Sequence, residues 1–83
     1  MALTRAALGK AIDHLEHGDW QAAHEIVQTD EASALACWAH GIVHIMEGDL
    51  PNARYWYAQA KRPFPQEPDA AGETRELLEQ LRS

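Results

Sequence analysis

The chain of 83 residues has a single cysteine, few aromatic residues and few cations. Cys37 has no second cysteine to pair with, so an internal disulfide is excluded and we expect a cytoplasmic protein. No signal-peptide pattern or long apolar run is visible, so we expect no membrane association. Seven Lys and Arg stand against thirteen Asp and Glu, and the net charge of -6 argues against binding of nucleic-acid phosphates.

The composition of the chain favours helices. The hydrophobic fraction is 46%, much of it alanine, and aromatic residues make up only 7%. Small side chains suit close helix packing, so the composition predicts an all-α protein. Ordering a chain of this size costs about 1.5 kcal/mol per residue. The buried apolar area is limited, so we expect a protein or peptide partner, or a homo-oligomer, to contribute to it.

Two Gly-Asp pairs divide the first three quarters of the chain into helical hairpins. Apolar residues recur at helical spacing on both sides of Gly18-Asp19 and of Gly48-Asp49. Glycine closes a helix by adopting positive φ, and the aspartate that follows can cap the next helix. We therefore predict one antiparallel hairpin over residues 3–29 and a second over residues 32–61.

The last quarter contains a connector and one more helix. Pro63, Pro65 and Pro68 disfavour helix at the residues before them, so residues 62–68 are predicted to be extended. A C-terminal helix over residues 69–82 follows, with Asp69 as its cap and three leucines to cover the end of the stack. Its acidic face is predicted to be solvated and comprises Glu73, Glu76 and Glu79. The whole chain is read as one domain of about five helices.

An internal repeat supports the hairpins. When the chain is shifted against itself by thirty residues, residues 11–23 align with residues 41–53. In this register a small residue on the first helix faces an alanine on the second, as Ala11 faces Ala23 and Gly41 faces Ala53. The identical pairs are Ile12 and Ile42, His14 and His44, Gly18 and Gly48, Asp19 and Asp49, and Ala23 and Ala53.

At these positions the sequence resembles the tetratricopeptide repeat, although the repeat is thirty residues long rather than the family's thirty-four. The second hairpin carries the resemblance at Gly41, Gly48, Asp49, Ala53, Tyr57, Ala60 and Pro65. The resemblance implies a short helical stack that binds a protein or peptide. Residues 38–57 are also similar to small bacterial proteins of unassigned function that share Trp-x-His-x-x-x-His-x-x-Glu-Gly-Asp and Asn-Ala-x-Tyr-Trp-Tyr.

Histidines are the chemically distinctive residues of this sequence, which has five of them. The resemblance implies that His14, His40 and His44 point inward, because the family carries apolar or aromatic residues at these positions. His40, His44 and Glu47 are spaced at i, i+4 and i+7, so they form one polar stripe on the third helix. His24 on the second helix could supply a third ligand to an ion bound by His40 and His44.

Three interpretations of the histidines stay open. A site for Zn²⁺ or another divalent metal is one, with His24, His40 and His44 as ligands, although no cofactor is required by the sequence. A buried hydrogen-bond network is the second, with the imidazoles paired to tyrosine, carboxylate, amide or carbonyl groups. Acid–base catalysis is the third. The candidate polar cluster comprises His24, His40, His44, Glu47, Asn52 and Tyr55.

A second candidate site combines aromatic residues with cations near the end of the second hairpin. Arg54, Tyr55, Trp56 and Arg62 are predicted either to form a groove for an acidic peptide or small anion, or to be packing and surface residues. Trp56 and Tyr57 would then belong to the core.

The sequence thus favours a non-enzymatic interaction module or a self-associating domain. The alternative is a small metal- or ligand-binding protein built on the histidines. An enzyme is less favoured, because no nucleophile motif or phosphate-cradling loop is visible.

Overall fold

A computed structural model describes residues 2–83, which form five α-helices and no strand. The helices are α1 (Arg5–Glu16), α2 (Trp20–Val27), α3 (Ala34–Glu47), α4 (Leu50–Gln59) and α5 (Ala70–Arg82). The predicted all-α class with about five helices is confirmed. Among these residues, no helix has the length and apolar character needed to cross a bilayer.

The two Gly-Asp turns have almost the same backbone geometry. Gly18 has φ +77° and Gly48 has φ +91°. The backbone N–H that follows each glycine donates a 2.9 Å hydrogen bond to a histidine carbonyl, His14 in the first turn and His44 in the second. The side chains of Asp19 and Asp49 each accept a hydrogen bond from the backbone N–H three residues on. The repeat in the sequence is therefore also a repeat of local structure.

The second hairpin ends in a left-handed turn. Helix α4 stops at Gln59, because Lys61 takes the left-handed conformation with φ 59° and the Arg62 N–H donates 3.0 Å to the Tyr57 carbonyl. This is a Schellman closure with lysine at the position that usually holds glycine. Asp69 occupies the N-cap position of α5 as predicted, but its side chain accepts no capping hydrogen bond.

Close contact between α3 and α4 depends on Gly41. A Cβ atom at Gly41 would lie 2.4 Å from Cδ1 of Tyr57 and 3.3 Å from the Ala53 carbonyl oxygen. Ala53 and Tyr57 are fully buried, which confirms the predicted need for a small residue here. The largest fully buried side chains are Trp38, Tyr57, Ile12, Ile42, Leu77, Val27 and Val43.

Helix α5 packs on α1 and α3 and holds an unexpected polar contact there. Glu73 was predicted to be solvated, but one carboxylate oxygen accepts hydrogen bonds from Trp38 Nε1 at 3.1 Å and from the Tyr57 hydroxyl at 2.6 Å. Burial, together with the Glu73 carboxylate, raises the pKa of Tyr57. The prediction was wrong for Glu73 because the first turn of α5 lies over α3; Glu76 and Glu79 are exposed as expected.

Helices α2 and α4 both pack against α3. Within residues 2–83 the backbones of α2 and α4 do not approach each other directly, and α5 reaches α4 through the hydrogen bond between Glu73 and Tyr57. Helix α3 therefore joins α2 to α4.

Candidate functional site

Three histidines meet at the contact between α2 and α3. His24 comes from α2, and His40 and His44 come from successive turns of α3. The ring centroids are 5.0 Å apart for His24 and His40, 5.5 Å for His24 and His44, and 5.1 Å for His40 and His44. One ring nitrogen of each histidine lies within 4.8 Å of the other two. The structure thus brings together the three residues that the sequence marked as candidate metal ligands.

Local and tertiary features place these rings. His40 and His44 share a face of α3 because they are four residues apart. His24 follows Ala23, which is fully buried in the contact that packs α2 into the core. His40 and His44 are 4% and 7% exposed, whereas His24 is half-buried and opens the cluster to solvent. His14, also predicted to point inward, is half-buried on α1.

His44 is hydrogen-bonded through both ring nitrogens. Its Nδ1 lies 2.9 Å from the Glu47 carboxylate, and its Nε2 lies 3.3 Å from the side-chain amide nitrogen of Asn52. An ionised carboxylate only accepts hydrogen bonds, so Nδ1 carries the proton and Nε2 has a lone pair to which Asn52 donates. The predicted network partners Glu47 and Asn52 are therefore present at His44.

His40 has a different environment. Its Nδ1 is buried and has no hydrogen-bond partner among residues 2–83. Its ring stacks on Trp56 of α4, with centroids 3.9 Å apart and planes 9° apart, and its other face is near His44. Burial, followed by the proximity of His44 and His24, lowers the pKa of His40 to about 4. The imidazole is thus neutral at pH 7, in the protonation state that metal ions bind.

Tyrosine does not contribute to this cluster in the way the sequence suggested. Tyr55 is 55% exposed and contacts the edge of Trp56, outside the hydrogen bonds of the histidines. Tyr57 is in the core as predicted, but its hydroxyl donates to Glu73 rather than to an imidazole. The role of Trp56 as a stacking platform for His40 was missed, because it depends on how α4 packs on α3.

The residues of the predicted groove are distributed over two aromatic contacts. The Arg62 guanidinium lies 3.4 Å from the centre of the Trp38 ring, and that of Arg54 lies 5.3 Å from the centre of Phe64 in the connector. Trp56 is buried against His40. Each cation is thus held over a different ring, and neither of those rings is Tyr55 or Trp56.

Two other places in the molecule contain a cluster of ligand atoms or a cleft. His44, Glu47 and Asp49 also have ligand atoms within 4.8 Å of one another, but Glu47 is the partner of His44 and Asp49 caps α4. A cleft of about 460 Å³ lies where α5 begins, near Leu15 and Met46. Its charged side chains, Glu16 and Arg75, are of opposite sign and present no converging set of ligands.

No family model, curated protein or solved structure significantly matches the chain. The resemblance to the tetratricopeptide repeat therefore rests on the repeat and turn residues of the sequence.

Proposed function

We propose that the protein binds a divalent transition-metal ion through His24, His40 and His44. The observation that carries the proposal is His40 Nδ1, a buried nitrogen that lacks a hydrogen-bond partner inside a cluster of three imidazoles. Buried polar atoms in proteins are nearly always paired, and an unpaired one costs about 1–3 kcal/mol. An ion bound by the imidazoles would give the unpaired nitrogen of His40 a partner.

The surroundings of His44 also suit a ligand. Histidines that bind metals commonly donate their other ring N–H to a carboxylate, which sets the tautomer and makes the ring a better ligand. His44 has this arrangement, with Glu47 on Nδ1 and a lone pair on Nε2. A hydrogen-bond network alone accounts for His44 but leaves the unpartnered nitrogen of His40 without a role.

The spacing is compatible with an ion after small side-chain movements. Imidazole nitrogens bound tetrahedrally at 2.0–2.1 Å lie about 3.4 Å from one another. The three nitrogens are already within 4.8 Å, and His24 is on the solvent-accessible side of the cluster. Rotation of the half-buried His24 side chain about its χ angles can bring its ring nitrogen closer to those of His40 and His44, and the same side provides an entry path.

The ligand chemistry selects the class of ion. Neutral imidazoles suit Zn²⁺, Cu²⁺, Ni²⁺ and Co²⁺, whereas Ca²⁺ and Mg²⁺ require oxygen ligands. The nearby carboxylate of Glu47 is hydrogen-bonded to His44 and is exposed. We therefore propose Zn²⁺ as the ion with which to test binding. The single cysteine is consistent with a cytoplasmic setting.

Isothermal titration with Zn²⁺ at pH 7 tests the proposal. His40→Phe keeps an aromatic ring against Trp56 but removes both nitrogens, and His24→Gln removes the accessible ligand. Each should weaken Zn²⁺ binding by more than the roughly 10- to 100-fold that loss of an outer hydrogen-bond partner costs. His17→Gln is the matched control, because His17 is an exposed imidazole whose ring nitrogen contacts Asp13, away from the cluster. Equal affinity of His40→Phe and the native protein would refute the site.

A second candidate function is the capture of a protein segment or a second copy of the chain. One observation favours it: among residues 2–83, Tyr55 is the only large hydrophobic side chain that is largely exposed to solvent. Tyrosine is enriched at binding hot spots. Light scattering of the native protein and of Tyr55→Ser tests self-association. If Tyr55 mediates it, the native protein should be an oligomer and Tyr55→Ser should be a monomer. A native protein that is monomeric at all accessible concentrations would exclude the homo-oligomer.

A further inference from the structure

We infer that the metal ion keeps an exchangeable fourth position that takes a small anion, and that Asn52 donates a hydrogen bond to that anion. This inference rests on the proposed function. It follows from the number of protein ligands, the charge of the loaded site and the present partner of Asn52.

The described chain supplies three ligands to this ion and offers no evident fourth. Glu47 binds Nδ1 of His44, whose Nε2 points to a different side of the ring, so Glu47 is not positioned for an ion held at Nε2. Asp49 is occupied in capping α4. Cys37 is buried near the start of α3, where its thiol donates to the Glu31 carbonyl at 3.4 Å. Sites with three protein ligands keep an open position for an exogenous one.

The charge of the loaded site favours an anion in that position. Three neutral imidazoles leave the full charge of a divalent ion uncompensated, and no carboxylate is a ligand. His40 and His44 are buried and Trp56 covers one face of His40, so water screens this charge poorly. A hydroxide or another small anion neutralises part of the charge, and the limited space against Trp56 favours small ligands.

Asn52 is placed to select such a ligand. Its side-chain amide donates to His44 Nε2 at 3.3 Å. When that lone pair coordinates an ion, the amide loses its acceptor, and a half-buried donor without a partner is unfavourable. The ligand in the fourth position is next to the same nitrogen and provides a new acceptor. Asn52 lies in the first turn of α4, where its own backbone N–H is held by Asp49.

Visible absorption of the Co²⁺-loaded protein during titration with azide tests this inference. Four-coordinate Co²⁺ gives intense visible bands, and replacement of bound water by azide should shift them. In Asn52→Leu, which has a similar volume but no donor, azide should bind about 10-fold or more weakly, as expected for loss of a hydrogen bond to a charged group. Gln59→Leu is the control, because Gln59 is an exposed amide on the same helix.

The outcomes separate the two proposals. If isothermal titration detects no binding of Zn²⁺ or Co²⁺ to the native protein, the proposed metal-binding function fails. If the bands form but azide leaves them unchanged, the open position is refuted while metal binding stands. If azide binds native protein and Asn52→Leu equally well, the role of Asn52 is refuted. Asn52→Ala provides the same comparison if the leucine variant does not fold, and the native titration tests the open position without any variant.

Discussion

The imidazole of His40 lies flat on the indole of Trp56, with ring centroids 3.9 Å apart and planes within 9° of parallel. This contact joins α3 to α4 beside the site at which Asn52, also on α4, meets His44. A candidate metal ligand is thus oriented by packing as well as by its own helix. Ligands whose rotamers are fixed by packing form more precise sites than ligands that move freely.

Replacement of Trp56 should therefore affect stability and metal binding together. Trp56→Ala should lower the free energy of unfolding by about 3–5 kcal/mol, because it empties a buried position. It should also weaken Zn²⁺ binding, because His40 loses the surface that orients it. Trp56→Phe, which retains a stacking ring, should lose less stability and less Zn²⁺ affinity than Trp56→Ala. Urea denaturation and zinc titration provide the two measurements, and unchanged zinc affinity in folded Trp56→Ala would contradict the orienting role.

Zinc should stabilise the native fold. A ligand that binds only the folded state adds about 2.7 kcal/mol at a free concentration one hundred times its Kd. For a domain of this size that corresponds to an increase in Tm of roughly 10–20 °C. Thermal melting followed by circular dichroism with Zn²⁺, and again after chelation, measures the effect. We expect the shift to be absent in His40→Phe and retained in His17→Gln; a shift of equal size in both variants would indicate unspecific binding.

Asp30 should make folding sensitive to acid. Burial alone would raise the pKa of Asp30, but hydrogen bonds from Ser33, Leu3 and Ala32 outweigh burial and hold the pKa well below its ordinary value. A carboxyl group with a lowered folded-state pKa stabilises the protein above its unfolded-state pKa of about 4, and this contribution is lost as the pH falls through the folded-state value.

Asp30→Ala should accordingly cost about 1.5–3 kcal/mol at pH 7, as expected for hydrogen bonds to a charged group. The difference from the native protein should shrink as the pH falls below 4. Urea denaturation at pH 7 and at successive lower pH values measures it. Glu31→Ala, a change at the exposed neighbouring carboxylate, should have little effect, and a pH-independent cost of Asp30→Ala would contradict the expectation.

Lys61 provides a test of the end of α4. A non-glycine residue in the left-handed conformation costs about 1–2 kcal/mol. Glycine removes that strain but loses about 0.4–1 kcal/mol more unfolded-state entropy, so Lys61→Gly should stabilise the protein by about 0.5–1 kcal/mol. Gln59→Gly, two residues earlier and still helical, should instead destabilise by about 1 kcal/mol. Chemical denaturation measures the change in the free energy of unfolding for each variant, and the two changes should have opposite signs.

Several features could be predicted from residues close together in the chain. The turns at Gly18 and Gly48 are local features. Each depends on a positive φ angle at the glycine and on a hydrogen bond from the following N–H to the carbonyl of His14 or His44, five residues earlier. The placement of Tyr55 and Tyr57 on different faces of α4 follows from the geometry of a single helix. The left-handed conformation of Lys61 was not predicted, because lysine has no local signal for it comparable to that of glycine.

The sequence by itself determined the helical class, the two Gly-Asp turns and the common face of His40 and His44, since each depends on local backbone geometry or helical periodicity. The tertiary structure alone decided that His24 joins that face, that Trp56 stacks on His40 and leaves Nδ1 without a partner, and that Glu73 binds Trp38 and Tyr57. These contacts join residues 16 to 35 positions apart. They depend on how whole helices pack, as at Gly41 against Tyr57, and the spacing of residues within one helix does not specify that packing.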